Sequence, residues 1–83
     1  MEDKIELNDG HIHEAIDRIH VAITYLSAAL SEHPLLSSVD EFQNELEKSI
    51  DILGSLYQTV GNLDSVSDLS EKYSLRKGFI IRK

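Results

Sequence analysis

The chain has no cysteine, no tryptophan, a single proline and only eight basic residues among its 83. Without cysteine, disulfides, thiolate zinc sites and thiol nucleophiles are all excluded, and a reducing cytoplasm is the expected compartment. With one proline, Pro34, long helices can run uninterrupted on either side of it. No apolar run approaches the roughly 20 residues that span a bilayer, so no membrane partner is expected. The start, MEDKIELNDG, is acidic and lacks the apolar stretch of an export signal.

Basic residues are scarce and unevenly placed. Fifteen carboxylates against eight bases give a net charge of -7. Residues 1–72 hold all fifteen carboxylates and only Lys4, Arg18, Lys48 and Lys72 as counter-charges, whereas Arg76, Lys77, Arg82 and Lys83 crowd the last eight positions. So acidic a body repels phosphate backbones, and direct nucleic-acid binding is not expected. Glycine is also sparse, at four residues. There is no glycine-rich phosphate loop and no serine in a strand-turn-helix elbow, so neither an enzyme nor a cofactor is expected.

What the chain does have is helical periodicity. Large aliphatics fall at Ile12, Ile16, Ile19, Ile23, Leu26 and Leu30, in steps of four and three, which is the seam of an amphipathic helix. Asn8 and Asp9 supply cap chemistry, Glu14 is set for an ion pair with Arg18, and Pro34 stops the run. Ala15, Ala22 and Ala29 line one flank, where a neighbouring helix can approach closely. A second seam runs through Val39, Phe42, Leu46, Ile50, Leu53, Tyr57 and Val60. It opens on the Ser38–Glu41 capping pattern and closes at Gly61 or Asn62 in a left-handed cap.

The expectation is therefore all-α: an antiparallel hairpin of helices over about 9–32 and 38–61, then a short helix over about 65–74 that starts on Ser65 and Asp68. Residues 1–8 read as an acidic N-terminal segment and 9–74 as one helical domain. Residues 75–83 form a basic and apolar tail in which Phe79, Ile80 and Ile81 favour an extended strand.

The stretch GHIHEAIDRIH, residues 10–20, invites a metal reading. His13 and His20 share a face but stand about 10 Å apart along the axis, too far for one ion. Either paired with Asp17 gives two ligands where zinc wants three or four. His13, Asp17 and His20 are thus an incomplete set, and no metal is expected. A metal- or pH-responsive bundle built on these histidines is a third reading of the chain, since imidazole titrates near neutrality.

Two apolar stripes are left over once the seams are paired. Val21, Tyr25 and Ala28 lie on the first helix away from its seam; Ile52, Leu56 and Leu63 lie beside the second seam. A chain this short buries only about 60% of its unfolded surface, so these stripes and Phe79, Ile80 and Ile81 are expected interface residues. The first stripe sits near the hairpin turn and the second at the far end, so a two-fold antiparallel homodimer, resembling a four-helix bundle, matches one to the other. The expected function is non-enzymatic: a dimeric regulator or adaptor, bacterial or phage, that meets another, unidentified protein through apolar helix faces. The alternative is an acidic decoy or inhibitor that occupies a nucleic-acid-binding surface of a target protein.

Overall fold

The computed structural model describes residues 4–81; residues 1–3 and the tail's last two bases lie outside the described residues. The first helix, α1, spans Asp9–Leu30. Asn8 is its N-cap, in extended conformation, and its Oδ1 accepts the His11 N–H at 3.2 Å. The His11 ring returns the bond, its Nδ1 accepting the Asn8 N–H at 3.1 Å. This is a reciprocal capping box with imidazole in the place usually taken by glutamate or glutamine. Gly10 makes room for it, since a Cβ there would lie 2.9 Å from Asn8 Oδ1.

Pro34 does more than stop α1. It opens a one-turn helix, α2, over Pro34–Ser38, where its missing N–H costs nothing in the first turn. His33 caps α2, Nδ1 accepting the Leu35 N–H at 3.2 Å. The second long helix, α3, spans Asp40–Gly61. Its start differs from the expected Ser38–Glu41 box. The N-cap is Val39, without a side-chain bond, because Ser38 closes α2 and its hydroxyl donates to Leu35 O at 2.7 Å. Gln43 Nε2 donates to Leu36 O at 3.1 Å and ties α2 to α3. Nor does α3 end in a left-handed cap: Asn62 stays right-handed at φ -81°, with its N–H on Gln58 O.

α1 and α3 pack along their seams as an antiparallel hairpin, with the His20 ring centroid 6.3 Å from that of Tyr57. Ala15 and Ala22 are half-buried on the flank, while Ala29 is exposed. Phe42 leaves the expected seam and stays 40% exposed; Gln43 takes the inner position.

The short helix α4 covers Ser67–Lys72, inside the expected 65–74. The expected Ser65–Asp68 cap does not form: the N-cap is Val66, without a side-chain bond, because Asp68 Oδ2 instead accepts the Asp64 N–H at 2.8 Å in the preceding turn and Ser65 Oγ lies 2.6 Å from Ser67 Oγ. The turn before α4 is fastened to the start of α1, where Asp9 Oδ1 accepts the Val66 N–H at 3.0 Å.

The all-α expectation holds broadly, with one addition. Strand β1, Ile5–Leu7, pairs in parallel with β2, Phe79–Ile81, in the register Ile5 with Phe79, Glu6 with Ile80 and Leu7 with Ile81. Gly78, at φ +98°, makes the turn that side chains resist, and its carbonyl accepts the Ile5 N–H at 2.8 Å. The acidic N-terminal segment and the basic tail are thus partners within one chain.

The result is long and thin, 51 × 29 × 19 Å. Its radius of gyration of 16.8 Å compares with about 12 Å for a compact domain of this length. Among the described residues only Ile12 counts as buried; the rest of the α1 seam is half-buried.

Candidate interaction surface

On α1, every third or fourth residue of the seam points at α3, and the residues half a turn round point at solvent. That outer set contains Val21, 58% exposed, and Tyr25, 66% exposed, with Ala28 also exposed. Together with His20 and Thr24 they line an open groove of about 380 Å³. Its walls are an imidazole, a phenol ring, two methyl-bearing side chains and an alanine. The structure therefore brings the three expected residues of this stripe together on one surface. His20 and Thr24 join them at the i-1 and i+3 positions from Val21, a signal that the helical wheel already carried.

The α3 stripe is divided. Ile52, at 70%, is the most exposed large apolar residue among those described. Leu56 is 46% exposed, and Leu63 is half-buried. These two share a smaller depression of about 220 Å³ with Thr59, Val60 and, from the segment after α3, Leu69 and Tyr73. The chain's return at α4 thus leaves Leu63 half-buried and both Ile52 and Leu56 exposed.

Phe79 and Ile80, 39% and 38% exposed, and the half-buried Ile81 are held in the β1–β2 ladder. Sequence reasoning missed Ile5, Leu35, Tyr73 and Leu75, all more than a third exposed. None belongs to a long helix; Tyr73 falls with Val66 and Leu69 on the apolar edge expected of the short third helix, and no periodic pattern marks the other three.

The histidines have local work. His11 and His33 cap helices, and His20 faces Tyr57. His13 and Asp17 are exposed on α1. Among the described residues no three histidine, aspartate or glutamate side chains are grouped to hold a metal ion. Glu14 and Arg18 pair at 3.2 Å as their spacing predicts. No helix among the described residues is long and apolar enough to cross a membrane.

Comparison of the chain with known protein families, curated proteins and solved structures gives no match.

Proposed function

We propose that this chain is a non-enzymatic interaction module that pairs with a second copy of itself and offers its remaining apolar surface to another protein, as a dimeric regulator or adaptor would. The observation that carries the reading is surface area. The chain exposes 6656 Å² at a mass of 9.4 kDa, against about 5,000 Å² for a compact monomer of that mass. The surplus is about twice the ~800 Å² that each partner buries in a standard interface. Val21 and Tyr25 on α1 and Ile52 and Leu56 on α3 are among the chain's exposed apolar residues. Fully burying a valine, leucine or isoleucine side chain stabilises by about 1.5–3 kcal/mol, so covering Val21, Tyr25 and Ile52 is a substantial driving force for so thin a fold.

The second copy is the first occupant because the two stripes complement each other in position. The α1 stripe lies toward the α2 end of the hairpin, while Ile52 lies just past the middle of α3 and Leu56 one turn further from that end, so a two-fold copy running antiparallel sets each stripe against the other. Light scattering on the full chain should give twice 9.4 kDa. Tyr25→Glu and Ile52→Glu, each at a site exposed within the single chain, should each halve that mass. A wild-type mass of one chain, or a dimer indifferent to both substitutions, would remove the proposal.

The acidic-decoy reading draws support from α3, where Glu41, Glu45, Glu47 and Asp51 are all exposed. Salt separates the two: association through carboxylates weakens steeply with ionic strength, and association through Tyr25 and Ile52 does not.

A further inference from the structure

We infer that the outer edge of β2 is a docking edge for a short acidic extended segment of another protein, which would add to the sheet as a third strand. A two-stranded sheet is marginal on its own and gains from a further strand, and an uncovered edge is a ready template for pairing. Among the described residues the sheet contains β1 and β2 alone, so β2 has β1 on one side and no strand on the other. The register and the Ile5 N–H bond to Gly78 O turn the backbone of Ile80 toward β1. Alternation along the strand then turns the Phe79 carbonyl and both backbone groups of Ile81 outward. The Phe79 N–H already donates to Arg76 O at 3.3 Å, so the edge offers one donor and two acceptors. Phe79 and Ile80 are also exposed, giving an incoming strand apolar side chains to lie against.

Charge chooses the occupant. Arg76 and Lys77 precede β2, and Arg82 and Lys83 follow it in sequence, so half of the chain's basic residues flank three strand residues. Two copies pairing β2 with β2 in antiparallel fashion would set the bases before one strand against the bases after the other, and like charges across a ladder destabilise it. An acidic strand meets the opposite situation. On its other side β2 pairs with β1, which belongs to a segment that is acidic in sequence. The inference gives the second partner of the preceding reading a chemistry but does not require the dimer, because light scattering and peptide binding are read separately.

The test is a titration of the ¹⁵N-labelled full chain with the peptide acetyl-EIEVE-amide, with acetyl-KIKVK-amide as its charge-reversed counterpart. The acidic peptide should shift the backbone amides of residues 79–81, and the lysine peptide should not. Arg76→Glu combined with Lys77→Glu should weaken binding roughly fivefold, as befits two exposed ion pairs. Ile81→Pro removes the outward donor while leaving the β1 side intact, so it should abolish binding with the ladder amides of residues 5–7 unmoved. No shift with the acidic peptide, equal shifts with both peptides, or shifts confined to residues 20–28 would each overturn the proposal. So would shifts at residues 79–81 that grow with protein concentration alone, which would mean that a second copy holds the edge.

Discussion

The two ends of the helical hairpin are built differently. At one end α1 begins, α3 finishes, α4 follows and the β1–β2 ladder joins the segment before α1 to the segment after α4. Ile12, the one buried residue among those described, lies there, beside the capping box and the Asp9–Val66 bond. At the other end only α2 bridges the long helices, and Tyr25, Leu35 and Phe42 stay 66%, 60% and 40% exposed. Burial in a small fold requires several segments converging on one point, since two helices alone shield one stripe each. The convergent end anchors the monomer, and the bare end carries the α1 surface proposed to meet a second copy.

Substitutions can break this contrast or sharpen it. The largest effect should come from Ile12→Ala, which empties the one buried position and should cost about 2–5 kcal/mol, read as a lower urea midpoint by circular dichroism. Leu35→Ala at the bare end should leave the midpoint nearly unchanged, and equal losses at the two sites would erase the distinction. Next, Asn8→Ala or His11→Ala should each cost about 1 kcal/mol as a lost cap. The double variant should cost less than the sum, because the two side chains form one reciprocal box; strict additivity would show that the box does not form. His33→Ala, capping only the single turn of α2, should cost about 0.5 kcal/mol, and His33→Asn should restore it. Last, Arg18→Ala should shift stability by no more than about 0.5 kcal/mol, since its pair with Glu14 is exposed.

The candidate surface was legible to different degrees for physical reasons. Val21, Tyr25 and Ala28 could be read off the 3.6-residue repeat, because a residue half a turn from a strong seam has nowhere to go but outward. The fate of Leu56 and Leu63 depended on where α4 settles, which no spacing specifies. The histidines in GHIHEAIDRIH carry the ligand types of a metal site, yet His11 serves as a cap because the chain's entry into α1 places its ring beside the Asn8 N–H. Ser38 and Glu41 match a capping pattern, but Pro34 starts a helix that claims Ser38 first.

By itself the amino-acid order determined the two long helices, their breaks near Pro34 and Gly61 and the acidic body with its basic tail, since each follows from contacts or charges close in sequence. Only the tertiary structure decided that the two extremities pair as a parallel ladder, that Asp9 holds the turn before α4, and that Ile12 rather than any other seam residue is enclosed. Those outcomes join segments from opposite ends of the chain, and local preference cannot encode which distant segments meet once the hairpin has folded.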